Sequence, residues 1–258
     1  MTLPTSLSKG TIRRAFDRAR DTYARAAMVQ GEVARTCASR IPAGHYPAVI
    51  EIGAGGGVLT EHLVRQCTHD RYVAVDMSPE MLRQVDMGML TSPEFMVADG
   101  ECLDLPQESF DLLASSSTMQ WYHAPEVAIH DNLRLLKHGG SFSLSIFVEG
   151  TYAEFGEASE ASGFGSMLPM RPSQYFVDIL QDAKPALLEW EVVPHVSHFS
   201  SVSDLLRAHR ATGATATPGQ KQPSKSSYKR FISYLEDNFR DPEGIRSTSV
   251  ILHLWGRR

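Results

Sequence analysis

The stretch Val49-Ile50-Glu51-Ile52-Gly53-Ala54-Gly55-Gly56-Gly57 joins a short apolar strand directly to a glycine loop. The next apolar run, Tyr72-Val73-Ala74-Val75-Asp76, ends in an acid 19 residues beyond Gly57. Strand, glycine loop, helix and acid-tipped strand in that order build a cradle for a nucleotide-type cofactor. Gly53, Gly55 and Gly57 can take positive φ and let the backbone approach a ligand, while Asp76 can accept from both hydroxyls of a ribose.

A loop that binds a pyrophosphate uses helix N-terminal amides and disfavours a carboxylate nearby. Here Glu51 stands at the strand end beside the glycines, which suits a cationic ligand and argues against a nicotinamide dinucleotide. S-adenosylmethionine carries a sulfonium and an ammonium; Glu51 can hold that end by charge or through a water, with Asp76 on the ribose. The third strand, Phe95-Met96-Val97-Ala98-Asp99-Gly100-Glu101, again ends in an acid, and Asp99 is placed to accept from the adenine amino group. A glycine loop alone reads equally well as a tight turn. The loop followed by acids at two successive strand ends reads as a cofactor site, with Met77, Gly100 and Ser116 completing the cofactor-side candidates.

At 258 residues, 42% hydrophobic and 21% charged, the chain is long enough for one full core with an elaboration. A net charge of -5 gives no global basic field for nucleic acid. Cys37, Cys67 and Cys102 are scattered and form no CxxC, as in a protein whose thiols stay reduced. The N-terminal ten residues lack an apolar core and no run approaches the length of a membrane span. The expectation is a single-domain cytoplasmic monomer without metal, membrane or nucleic-acid partner. His195 and His198 are three apart in a predicted strand, which puts them on opposite faces, and no further ligand completes a metal set.

Along the chain, residues 1–44 read as a helical cap, with Ile12, Phe16, Ala19 and Tyr23 at helical spacing and a second helix over 28–38. Residues 45–147 form the cofactor core, with strands over 49–52, 72–76, 95–98, 110–115 and 141–147 and helices between them. Ser78-Pro79 marks a helix start. Lys137-His138-Gly139-Gly140 reads as the stop after a helix over 124–136. Residues 148–227 hold no clean strand–helix unit before 188–193 and read as an insertion or lid, with a helix over 203–210 and a polar, basic loop over 213–227. Residues 228–258 add a helix over 228–239 and a terminal apolar strand over 248–255 that can join the sheet antiparallel. Regular alternation of strand and helix predicts an α/β, mostly parallel, seven-stranded sheet covered on both faces.

On the residues Glu51–Gly57, Asp76, Asp99, Phe110-Asp111 and Leu135–Gly140, the chain resembles the Rossmann-like class I S-adenosylmethionine-dependent methyltransferases, with His138 where proline is more usual. Three features outside the cradle are similar to the malonyl-acyl-carrier-protein O-methyltransferases of biotin synthesis: the Phe16…Tyr23 helix, Ser117-Thr118-Met119-Gln120-Trp121, and Leu206–Thr215. The resemblance implies that Tyr23 lies over the cofactor, that Gln120 and Trp121 border the active site, and that an arginine grips the free carboxylate of a malonyl group. Arg207 fits that arginine's position, and Arg210 stands where lysine is common, so either can make the contact. The implied acceptor is malonyl-acyl-carrier protein or malonyl coenzyme A.

A malonyl carboxylate is ionised at neutral pH, so methyl transfer to it needs alignment and little proton traffic. An aromatic enclosure from Tyr23 and Trp121 can exclude water while attracting the cation. Each of these residues also has an ordinary structural reading: core aromatics for Tyr23 and Trp121, a helix-start residue for His123, solvated helix residues for Arg207 and Arg210. Lys221, Lys225, Lys229 and Arg230, with the two arginines, make the C-terminal third locally basic, which suits an acidic carrier protein or a solvated linker. Three function classes follow: a carboxyl methyltransferase, a methyltransferase for another small acid, amine or phenol, and a noncatalytic interaction protein that kept the fold.

Overall fold

The computed structural model describes residues 7–26, 28–214, 216 and 224–258, without the side chains of 23–26. Helices α1 (Lys9–Ala26) and α2 (Met28–Ser39) come first. The core follows as β1 (Gly44–His45), β2 (Ala48–Ile52), α3 (Val58–Gln66), β3 (Cys67–Thr68), β4 (Arg71–Asp76), α4 (Pro79–Leu82), β5 (Pro93–Val97), β6 (Phe110–Ser116), α5 (Pro125–Arg134) and β7 (Leu136–Phe147). The rest is α6 (Ala153–Ser162), α7 (Ser173–Asp182), β8 (Leu187–Phe199), α8 (Val202–Ala211), α9 (Lys225–Phe239), β9 (Arg240–Asp241) and β10 (Gly244–Arg257).

The main sheet runs β5-β4-β2-β6-β7-β10-β8, with β9 paired to β10. The first five strands are parallel, and β10 enters antiparallel between β7 and β8. This is the α/β Rossmann-like sheet that the sequence predicts. All five residues of β2 are buried because both faces are covered, which is why its sequence runs apolar instead of alternating. On one side Ile129 and Leu133 of α5 and Phe176 and Leu180 of α7 share a core with Ile50 and Val73. On the other, Ala34 and Cys37 of α2 and Leu59 and Leu63 of α3 pack with Val49 and Tyr72. Cys37, Cys67 and Cys102 are free thiols, the first two buried.

Over the carboxyl ends of the parallel strands lies α1, whose Ile12, Ala15 and Phe16 pack with Met77 and Trp121. Its other face is tied down by Arg20, 2.8 Å from Glu80, and by the Thr22 hydroxyl, which donates to the Ala211 carbonyl at 2.9 Å. Gly213, at φ 70°, lets the end of α8 approach: a Cβ there would sit 2.8 Å from that of Ala19. Ser78 caps α4 by accepting from the Met81 N–H at 3.1 Å, with Pro79 at the first helical position.

The structure departs from the sequence reading in two places. Lys137–Gly140 does not end before the fifth strand but bulges within it, so the register passes from Phe110↔Leu136 to Leu112↔Ser141. Segment 148–190, expected to be irregular, contains α6 and α7; Phe176, Val177, Ile179 and Leu180 of α7 are buried in the sheet core. The last two strands are also longer than expected, pairing antiparallel from Ile245↔Phe199 to Arg257↔Leu187, and Pro194 is tolerated because β8 is the sheet edge.

Candidate functional site

The carboxyl ends of β2, β4 and β6 frame a cleft of about 660 Å³ beneath α1. Gly53, Gly55, Asp76, Met77, Asp99, Gly100, Ser116 and Trp121 all line it. The backbone at Gly53 comes so close to the turn after β6 that a Cβ would lie 1.9 Å from Thr118 Oγ1; at Gly100 it would meet the Tyr122 hydroxyl oxygen at 2.6 Å. Asp76 accepts from the N–H of Gly55 at 2.9 Å and of Ser78 at 2.8 Å, so it shapes the glycine loop while keeping lone pairs for a ligand hydroxyl. Burial pushes its carboxyl up to about 6, against the pull of those N–H groups.

Glu51 does not line the cleft. It lies fully buried beneath the loop, where one oxygen accepts from the Thr60 hydroxyl at 2.7 Å and from the Tyr72 hydroxyl. The other oxygen has no partner among the described residues, and burial pushes the carboxyl up to about 7. Gly57, at φ 88°, stands at the N-cap of α3 and serves the helix start instead of the cleft wall. A wall that excludes Cβ atoms, with Asp76 and Asp99 at its ends, fits S-adenosylmethionine, and Glu51 lies beneath that wall and not in it.

Sequence reasoning missed Lys9. Its ammonium reaches from the first turn of α1 into the cleft, 3.3 Å from Asp99 Oδ1 and from Glu101 Oε2, and donates to the Trp121 carbonyl at 3.3 Å. A single lysine before an amphipathic helix carries no motif, so only the fold reveals it. Behind it the Tyr122 hydroxyl donates to Asn132, which donates to the Gly100 carbonyl at 2.9 Å and fixes the strand end that holds Asp99.

A second cavity, of about 550 Å³, shares Phe16, Ser117 and Trp121 with the first. Phe16 and Trp121 meet edge to face, 5.8 Å between centroids, and form the partition. Beyond them the second cavity is lined by Gln30, Gln120, Phe147, Tyr152 and His209. The Gln120 side chain donates to the Ser117 carbonyl at 2.7 Å, leaving its buried amide oxygen without a partner among the described residues. Tyr152 sits at φ 55°, an uncommon backbone for a bulky residue, with its ring 5.0 Å edge-on from His209. Burial pushes His209 down to about 4, so it is neutral at physiological pH. Tyr152 belongs to no recognisable motif, and His209 lies within the family-like segment Leu206–Thr215, where only the arginines drew a role.

The predicted arginines are elsewhere. Arg207 is 75% exposed and pairs with Asp204 of its own helix at 2.7 Å; Arg210 is exposed as well, and neither lines the two cavities. At positions 207 and 210 the α8 spiral points outward, whereas His209 and Thr212 point in. The Tyr23 side chain and Lys221 lie outside the described residues. His123 meets no acid through its ring: its Nε2 lies 2.8 Å from the Leu7 carbonyl. His198 pairs with Asp241 at 2.8 Å and His195 with Glu32 at 3.3 Å, on separate sides of β8.

Residues 50–144 match the methyltransferase domain family. Several relatives are named malonyl-[acyl-carrier protein] O-methyltransferase. The protein from Magnetococcus marinus is 34% identical over 86% of this chain and 83% of its own, and that from Herminiimonas arsenicoxydans is 28% identical over 93% and 92%. Among solved structures, the YcgJ protein of Bacillus subtilis superposes with a TM-score of 0.58 at 16% identity, covering 86% of this chain and 97% of that one.

Proposed function

Because the chain belongs to the class I S-adenosylmethionine-dependent methyltransferases, in the family that includes the malonyl-[acyl-carrier protein] O-methyltransferases, we propose that its acceptor is the free carboxylate of a malonyl thioester on acyl-carrier protein. The observation that carries this reading is the second cavity, which adjoins the cofactor cleft across Phe16 and Trp121 and whose polar groups are neutral. His209, held to about 4, is too weak a base to take a proton from a phenol or an ammonium at pH 7. An acceptor that is already ionised needs no such base.

S-adenosylmethionine supplies the methyl group and, on its sulfonium, the positive charge that this cavity lacks. The absence of a cation among the described lining residues then has a physical use. Tyr152, His209, Gln30 and Ser117 can orient a carboxylate through neutral donors, which leave it more nucleophilic than a bidentate guanidinium would. Phe16 and Trp121 exclude water from the junction, so the two reacting groups meet without intervening solvent. Arg207 and Arg210, facing outward on α8, are available to the acidic surface of a carrier instead.

The test is transfer of labelled methyl from S-adenosylmethionine to malonyl-acyl-carrier protein, beside malonyl coenzyme A, free malonate and acetyl-acyl-carrier protein. Product with the malonyl carrier and none with its acetyl counterpart is the expected result. Cofactor binding without transfer to any malonyl species would overturn the assignment and leave a methyltransferase for another acceptor.

A further inference from the structure

A groove of about 1750 Å³ runs along the edge of the sheet between the start of α2, the second half of β8 and the inner face of α8. It shares Gln30, Tyr152, His209 and Thr212 with the acceptor cavity, so those four residues form a neck between the two spaces. β8 is the terminal strand of the sheet, and the groove therefore opens at an edge where no further strand of the described residues stands in the way. From Pro194 to Ser200 it spans on the order of 20 Å at the rise of an extended strand.

The floor has an unusual chemistry for a sheet face. Ser249 of β10 lies beside His195 of β8, and Ser247 lies beside Ser197, giving a cross-strand ladder of small polar groups. Ser247 and Ser249 are buried at 6% and 2% exposure, in a strand whose neighbouring residues Ile245, Ile251 and Leu252 are core. His195 has its Nδ1 3.3 Å from Glu32, and its Nε2 is buried without a partner among the described residues. Opposite, Leu205 and Ala208 of α8 present apolar surface between Asp204 at the outer end and His209 and Thr212 at the neck. A ring nitrogen and hydroxyls on one wall and methylene-compatible surface on the other suit a flexible chain that carries amides, and a plain hydrocarbon chain would leave the floor unsatisfied.

We propose that this groove receives the pantetheine-type arm of a thioester acceptor and threads it past Tyr152 and His209 to the acceptor cavity. The inference rests on the thioester reading of the acceptor given above. It explains why the neck residues are neutral and why Tyr152, at φ 55°, is held at the joint of the two spaces by its N–H donating to the Thr248 carbonyl at 2.7 Å.

The test has two readouts. Ala208→Phe would narrow the groove, and it is expected to lower the ratio of kcat/KM for malonyl-pantetheine to that for malonyl-N-acetylcysteamine by about tenfold or more. Ala208→Cys in a Cys102→Ser background provides the second, because Cys37 and Cys67 are buried. Alkylation of the introduced thiol by a maleimide is expected to slow about fivefold or more with saturating acetyl-pantetheine and to be unaffected by acetyl-N-acetylcysteamine. Bound S-adenosylmethionine at the parent affinity reports a folded protein in both variants. An unchanged ratio together with unprotected alkylation of that thiol would overturn the groove assignment, as would protection by a decyl thioester in place of the pantetheine one. Protection by acetyl-pantetheine with no methylation of any malonyl species would instead sink the acceptor reading and leave the groove standing.

Discussion

Gly53 is where one atom decides cofactor binding. A methyl group there would demand an unfavourable φ of 78° and overlap Thr118 Oγ1, so Gly53→Ala is expected to weaken S-adenosylmethionine binding about a hundredfold or more by calorimetry. Adding Thr118→Ala should relieve the overlap and leave the φ strain, recovering only part of the loss. Glu51 makes a different kind of prediction. Its carboxyl rises from 4.5 to about 7 on folding because it is buried, so its folded form holds a proton more tightly than the unfolded one. Its contribution is therefore most favourable below about pH 4.5 and declines by roughly 3 kcal/mol in all as pH rises through 7. Glu51→Gln removes the titration, and urea unfolding without cofactor should show the variant gaining on the parent between pH 5 and pH 8. No gain would mean that the buried carboxylate is compensated in the unliganded protein. That Gly53, Gly55, Asp76 and Asp99 cluster at the strand ends was legible because each stands at a fixed place beside a short apolar strand, whereas Glu51 and Gly57, read with them, lie outside the cleft. Lys9, Tyr152 and His209 were not legible, because their positions in the site come from helices brought together only by the tertiary fold.

At the scale of elements, α1 forms the roof of the cofactor cleft, held by the packing of Ile12, Ala15 and Phe16 and the ion pairs of Lys9 and Arg20, with Gly213 making its close approach to α8 possible. Gly213→Ala would set a Cβ 2.8 Å from Ala19 and 3.0 Å from the Ala15 carbonyl, at a φ that only glycine accepts easily. The sheet core does not involve this junction. The variant should therefore release S-adenosylmethionine about tenfold faster in stopped-flow experiments, while the major unfolding transition moves little. An unchanged release rate would show that α1 does not hold the ligand in. The same scale explains what the sequence concealed in segment 148–190. Phe176, Val177, Ile179 and Leu180 carry a helical apolar pattern, but Pro169 and Pro172 beside several glycines masked it; Pro172 in fact stands at the N-cap of α7. Conversely, Gly139 and Gly140 gave an apparent stop because glycine serves a strand bulge as readily as a helix end.

For the whole molecule, the proposed function would separate recognition of the acceptor's tip from recognition of its carrier. The second cavity holds neutral donors and aromatic rings, whereas Arg207, Arg210, Lys225 and Lys229 lie on the outside of the C-terminal helices. Total charge is -5, so a carrier of like sign would be repelled at long range unless these local cations face it. Attraction between exposed charges acts mainly on encounter and is screened beyond about 10 Å at 0.1 M salt. Reversing two of them, Arg207→Glu with Arg210→Glu, should therefore raise KM for malonyl-acyl-carrier protein about tenfold at low salt, with the deficit shrinking as salt is added. The acceptor arm without its carrier offers the contrast: the ratio of kcat/KM for the carrier-bound substrate to that for malonyl-pantetheine should fall, because the latter has no acidic protein surface to steer. An arginine that gripped the malonyl carboxylate would behave otherwise, since its loss would depress both substrates equally and salt would not restore the difference. Measured across a salt series, equal losses would return Arg207 or Arg210 to the reaction centre and require α8 to turn on substrate binding; unequal, salt-sensitive losses would keep them on the carrier's side of the helix.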